Sequence, residues 1–444
     1  MIGIRNGMVM QRNHRNVSRI LLTGVEKIDV ASYEGPVSGN LCWEQTGEGF
    51  LLTGIPAGGP YTVTVNEETF SDIYVGDVWV LAGQSNMEGV GWLTEEDRND
   101  PGDPEIRNFS MEDHWCVARH RLHRPWLAVD KVHTEVIPCN PGNDPENRGV
   151  GPGLAFARYM KERTGVPQGL ICCAHGGTTL AQWDPALQEQ GPDKSLFAAM
   201  VRRFRVNGSH VRGLFWYQGC SEAMSHKADT FTENTVNFFA CARKALGQIP
   251  IVQVQIANVS VAHLNDWNVD WTSVREQQRR LAEVVPMLDT VSAIGMDKDD
   301  AVHLSSAQQK QLGKTAAESM CALLGMGDKL APVYKRHTVR SEWLDGYSLI
   351  DIEYDNVYGS LQAEGKPNGY GVSPFTDKVP CDIVCKTYVE GNHVYVRVGC
   401  TADKLKGRYL FYGFGENPYC NIMDGHNRRI PAMGPILLCA EGEE

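Results

Sequence analysis

Val78-Trp79-Val80-Leu81-Ala82 runs directly into Gly83-Gln84-Ser85-Asn86-Met87, and this join decides how the rest of the chain is read. Five consecutive apolar residues ending at a glycine suit a strand buried on both faces, as in parallel sheets. The polar residues after the glycine predict a tight turn with a helix behind it. A serine on such a turn exposes its hydroxyl, keeps its own amide near the carbonyl it attacks, and sits at the positive end of the helix. The turn is not a Gly-x-Ser-x-Gly elbow, because Met87 stands where the second glycine would be. Alone, the pentapeptide reads more readily as an ordinary polar turn, so its chemistry rests on what the rest of the chain supplies.

Outward from this join the pattern repeats. Gly169-Leu170-Ile171-Cys172-Cys173, Gly213-Leu214-Phe215-Trp216-Tyr217 and Ile251-Val252-Gln253-Val254-Gln255 are short apolar runs separated by longer helical segments. That alternation predicts an α/β domain with a mainly parallel sheet over residues 73–328. Ser306 to Leu324 is the clearest helix, with Ser306 and Gln309 spaced for a capping box and Gly325 placed for a stop. Residues 1–72 instead run in short β-like stretches broken by glycine and proline, which predicts a small β domain. Residues 329–444 return to alternation, as in Val394-Tyr395-Val396-Arg397-Val398, and predict a C-terminal β domain resembling a sandwich.

A chain of 444 residues with 42% hydrophobic and 22% charged residues is that of an ordinary globular protein, long enough for two or three domains. Its net charge of -12 argues against nucleic acid or an anionic membrane surface as partner, since both demand clustered positive charge. No apolar run approaches the roughly 18 residues needed to span a bilayer. The N-terminal stretch has arginines but no apolar signal region, and the 13 cysteines are odd in number and irregularly spaced. Reduced thiols and a cytoplasmic location are the expectation.

Asp300-Ala301-Val302-His303 places a carboxylate three residues before an imidazole, so that in a turn the acid can fix the histidine tautomer. Asp297 and Asp299 offer neighbouring carboxylates. Two strand ends can supply donors to an oxyanion: Ala174-His175-Gly176-Gly177-Thr178, where glycine leaves an amide accessible, and Trp216-Tyr217-Gln218-Gly219, through the Gln218 side chain. Open α/β sheets bind ligands at the carboxyl ends of their strands, which is where all these residues fall. His114, Cys116, His120 and His123 are residue types that suit zinc, but their spacing fits no familiar site. Trp115 and Trp126 among them suggest a surface facing a sugar.

With the Ser85 turn, these motifs in this order resemble the sialate O-acetylesterase family of SGNH hydrolases, a carbohydrate esterase group. Gly151-Pro152-Gly153-Leu154-Ala155-Phe156-Ala157, Trp183, Gly7-Met8-Val9-Met10-Gln11-Arg12 and Gly58-Gly59-Pro60-Tyr61 extend the likeness over most of the chain. The resemblance implies a three-layer α/β/α domain with Ser85 as nucleophile, His303 as general base and Asp300 as its orienter. It implies an oxyanion hole from the Ser85 amide, the Gly177 amide and Gln218. Gln84, His175, Trp183 and Tyr217 are candidates to line the sugar, with a structural role fitting His175 equally well. No cofactor and no metal are expected. The implied substrate is an acetylated mono- or oligosaccharide, sialate esters first and acetylated xylo-, manno- or xyloglucan oligosaccharides as the alternative. A carbohydrate-binding protein without turnover is the rival of another class. One departure stands out: the family carries glutamate after Gln-Gly, where this chain has Cys220, with Glu222 two residues on.

Overall fold

Glu68–Gly83 is one strand of 16 residues, and two different sheets share it. A computed structural model describes residues 1–138, 146–261, 267–342, 346–373 and 379–439. They fall into two compact units, the first made of Met1–Tyr217, Asn234–Ile251 and Ser305–Met320, the second of Gln218–Glu233, Val252–Leu304 and Cys321–Glu444.

In the first unit, the C-terminal half of Glu68–Gly83 pairs in parallel with Gln168–Cys172 and with Gly213–Tyr217. Ile106–Phe109 adds in parallel outside Gln168–Cys172, and Trp115–Val117 closes that edge antiparallel. Every residue of the two inner neighbours is buried, which is why their sequences show unbroken apolar runs rather than alternation. The polar exceptions are satisfied: Gln168 Oε1 accepts from Trp79 Nε1 at 2.8 Å, and its amide donates to the Val166 carbonyl at 2.8 Å.

The N-terminal half of the long strand pairs antiparallel with Gly58–Val65, and Val9–Gln11 lies parallel along it. Gln11 and Arg12 clamp this junction. Arg12 donates to both oxygens of the buried Asp77, at 2.9 and 2.7 Å, and Gln11 Oε1 accepts the Val78 amide at 2.8 Å. Removing one partner of such a pair strands a carboxylate in the interior. Arg12→Ala is therefore expected to cost about 3 kcal/mol of stability. A urea titration that finds less than about 1 kcal/mol would show that water reaches Asp77.

The helix Ser306–Leu323 forms where expected, and Gly325 ends it with φ +71° while the Met326 amide reaches back to the Cys321 carbonyl at 2.9 Å. Its start differs from the expected capping box. Ser306 Oγ donates to Asp97 at 3.2 Å and Gln309 Nε2 donates to Asn86 at 2.8 Å, so both side chains serve tertiary contacts instead of the helix end.

In the second unit, Ile251–Gln255 and Leu288–Ser292 are neighbouring strands, with the helix Asn268–Val284 between them in sequence. The buried Arg275 of that helix donates to the carbonyls of Ile256, Ala257 and Gly415. The C-terminal region builds an antiparallel sheet in the order Val333–Ser341, Ser348–Asp355, His393–Val398, Val384–Glu390. A second sheet runs Tyr370–Ser373, Tyr409–Tyr412, Met433–Leu437. Ile350, Ile352, Val394, Val396, Leu410 and Tyr412 share one core, so inward residues alternate with outward ones as in a sandwich. The fold is α/β on a mainly parallel sheet, with antiparallel β regions before and after it in sequence, as the sequence leads one to expect.

Among the described residues no helix is long and apolar enough to cross a membrane. Twelve cysteines are described and each is a free thiol.

Candidate active site

Gly83 has to be glycine. Its φ is +129°, and a methyl group there would lie 2.2 Å from the Tyr217 carbonyl oxygen, which accepts the Gln84 amide at 2.9 Å. This close approach ends the strand and turns the chain so that Ser85 opens the one-turn helix Ser85–Glu88. Ser85 is half-buried, while its neighbours Gln84 and Asn86 are buried. Asn86 is held through its side-chain oxygen by Gln309.

Beside this turn lies the second strand end. A methyl group on Gly176 would sit 3.4 Å from Ser85 Cβ, so the two backbones are in contact distance. The Gly176 amide donates to Glu88 Oε2 at 2.5 Å. Gly177 has φ +74°, is exposed, and its amide meets no acceptor among the described residues. An exposed amide on the residue next to one that abuts the Ser85 turn is suited to an oxyanion.

The turn is braced from behind. Thr178 Oγ1 donates to the His175 carbonyl at 2.8 Å, and Trp183 Nε1 donates to Thr178 Oγ1 at 3.0 Å. Trp183 is fully buried, with its ring edge-on to Trp216 and Phe238 at 5.3 and 6.0 Å between centroids. His175 is buried against His133, Nδ1 to Nδ1 at 3.0 Å with the rings stacked 5.2 Å apart. The four residues expected to line the sugar, Gln84, His175, Trp183 and Tyr217, are thus all buried. Trp183 braces the Gly176–Gly177 turn through Thr178, and His175 is packed on His133.

In the second unit Asp300 and His303 meet. Asp300 Oδ2 lies 2.8 Å from His303 Nδ1, and Oδ1 accepts the amides of Val302 and His303, each at 2.9 Å. One carboxylate therefore folds the turn and orients the ring it serves. A carboxylate at Nδ1 makes that nitrogen the donor and leaves Nε2 as the basic one. Of the nearby acids, it is Asp300 rather than Asp297 or Asp299 that pairs with the ring; Asp299 contributes its amide to the His303 carbonyl.

Gln218 is buried in the same unit and donates its amide to Glu222 Oε2 at 3.0 Å, while its carbonyl accepts from Gln278 at 2.9 Å. A carboxylate thus reaches Gln218 from one helical turn on, with Cys220 between the two in sequence. The Cys220 thiol is buried, and burial together with Glu222 pushes it up to about 12.

The residues that suggested zinc diverge. His123 points its Nδ1 at the Glu88 carbonyl at 3.1 Å, His120 lies 3.7 Å from Asp97, and the exposed His114 pairs with Ser110. Among the described residues no group of three or more His, Cys, Asp or Glu is arranged to hold a metal ion. Trp115 is a core residue whose indole donates to Asn207, not a surface for sugar.

Comparison with known proteins places the chain. The family described as carbohydrate esterase, sialic acid-specific acetylesterase, matches residues 75–322. A probable carbohydrate esterase of Arabidopsis thaliana is 30% identical over 276 residues, 57% of this chain and 93% of that protein. Human sialate O-acetylesterase is 25% identical over 199 residues, 38% of this chain and 37% of that protein. Among solved structures, a carbohydrate acetylesterase from Xanthomonas citri matches with a TM-score of 0.69 at 20% identity, over 97% of this chain and 98% of that one, and so shares the fold.

Proposed function

Because the chain belongs to the sialic acid-specific acetylesterase family of carbohydrate esterases, we propose that it hydrolyses acetyl esters on sugar hydroxyls through Ser85, His303 and Asp300. The observation that carries this reading is the Asp300 carboxylate on His303 Nδ1, in the turn that the same carboxylate folds, because it makes Nε2 the basic nitrogen that a general base requires. In the proposed reaction Ser85 Oγ attacks the acetyl carbonyl and passes its proton to His303 Nε2. Collapse of the tetrahedral intermediate returns that proton to the sugar oxygen, releases the alcohol and leaves an acetyl-serine. Water, deprotonated by the same imidazole, then frees acetate. The Ser85 and Gly177 amides and the Gln218 side chain are the proposed oxyanion donors, supported by the exposure of Gly177 and by the carboxylate that orients Gln218.

Acetate release from O-acetylated sialic acid, with acetylated xylo-, manno- and xyloglucan oligosaccharides alongside, tests the reading. Preference for the sialate ester is the expected result; preference for a glucan shifts the substrate, and release from none leaves a binding protein. If Gln218 donates to the oxyanion, Gln218→Ala is expected to lower kcat by about 10² to 10³ with little change in KM. A change confined to KM would move Gln218 to substrate binding.

A further inference from the structure

Glu88 takes no part in the proposed chemistry, yet it lies on the same one-turn helix as Ser85, three residues on and so on the same face. Gly176 stands against both: a methyl group on it would lie 3.1 Å from Glu88 Oε2 and 3.4 Å from Ser85 Cβ. The Gly176 amide donates to Glu88 Oε2. The next amide along the chain, that of Gly177, is the exposed one. Two consecutive glycines carry almost no torsional preference of their own, so the direction of the Gly177 amide depends on what fixes the peptide before it. On the His175 side the chain is fixed by the ring pair with His133 and by the His175 amide on the Gly83 carbonyl at 3.0 Å. On the Thr178 side it is fixed by Trp183. Between those braces, the contact described for Gly176 is the one to Glu88.

We propose that Glu88 is a positioning residue of the acetyl-transfer site, its carboxyl pinning the Gly176 amide so that the Gly177 amide is aimed at the oxyanion. The inference rests on the reading of Ser85 as nucleophile and Gly177 as oxyanion donor. A carboxyl suits the task because its oxygen can accept the main-chain N–H whether the group is ionised or neutral. Its surroundings make the group costly to ionise: burial pushes the Glu88 carboxyl up to about 7, against the lowering effects of the Gly176 amide and of Arg121. His123 grips the carbonyl of the same residue, which fixes the backbone from which the carboxyl extends.

The test compares Glu88→Ala and Glu88→Gln by two readouts. Kinetically, Glu88→Ala is expected to lower kcat by about 10-fold to 100-fold with KM within about threefold, and Glu88→Gln, whose amide oxygen can accept the same hydrogen bond, to recover kcat to within about threefold of wild type. Independently of activity, amide hydrogen exchange in the 175–178 segment is expected to quicken in Glu88→Ala and to stay near wild type in Glu88→Gln. Equal exchange in Glu88→Ala and wild type overturns the proposal, and so does an equal loss of kcat in both variants. Labelling of Ser85 by a fluorophosphonate separates this from the parent reading: an unlabelled, inactive wild type rejects Ser85 as nucleophile, whereas the exchange result still decides whether Glu88 pins the turn.

Discussion

Ser85→Ala is expected to lower kcat for acetate release by on the order of 10⁴ to 10⁶, because nucleophile, base and orienter act as a unit and losing one forfeits nearly the whole. The residue that could soften this loss is Cys220, since a thiolate is intrinsically the stronger nucleophile. Its surroundings oppose that role. The thiol is buried, Glu222 lies near it, and with its titration pushed up to about 12 only a fraction of roughly 10⁻⁵ is thiolate at pH 7. Cys220→Ala is accordingly expected to retain activity within about tenfold, through packing alone. Initial rates of the two variants, measured side by side on folded protein, decide between the nucleophiles. Retention of about a tenth of the rate by Ser85→Ala would sink the assignment, and a dead cysteine variant beside an active serine variant would reverse it.

What the sequence made legible was local. The Val78–Met87 join announces a buried strand, an obligatory glycine and a turn within ten residues, and the Tyr217 carbonyl 2.2 Å from the missing Gly83 methyl explains why no other residue serves. Asp300 and His303 are three apart, so one turn suffices to bring them together. Contacts between distant segments leave no such trace. Glu88 and Gly176 lie 88 residues apart and His133 and His175 lie 42 apart, with neither pair belonging to a recognisable spacing. Ser306 and Gln309 have the spacing of a capping box, but Asp97 and Asn86, over 200 positions away, compete for the same side chains and win. Glu222 is legible by spacing, since four residues from Gln218 at the start of a helix is contact distance. Trp183 and Tyr217 show a different limit, since an aromatic residue in a motif reads as a sugar platform while its burial is set by distant partners.

Mild acid is expected to unfold the first unit, for reasons that the buried histidines supply. Burial holds His120, His123 and His175 at about 4, and holds His133 well below its ordinary value, with the neighbouring His175 ring adding to the effect. The His133–His175 bond makes the direction concrete: one Nδ1 must donate and the other accept, and protonating the acceptor sets two N–H groups against each other. Between pH 6.5 and 4 the unfolded chain binds these protons and the folded chain does not, so stability is full above about 6.5 and is lost as pH falls through that window. Each of the three histidines at about 4 contributes about 3 kcal/mol, on the order of 10 kcal/mol together. Glu88 acts in the opposite sense. Its carboxyl titrates at about 7 in the folded chain and near 4.5 in the unfolded one, so acidification over that range favours the folded state by about 3 kcal/mol. The histidines outweigh it, and a net loss of about 7 kcal/mol is comparable to the whole stability of a typical domain. Thermal midpoints recorded from pH 7.5 to 4 should therefore fall steeply below pH 6.5. A midpoint that stays level from 6.5 to 4.5 would show that water reaches these rings. Substituting His123→Gln, whose amide can still donate to the Glu88 carbonyl but does not titrate, should remove part of the slope and leave the rest to the His133–His175 pair and His120.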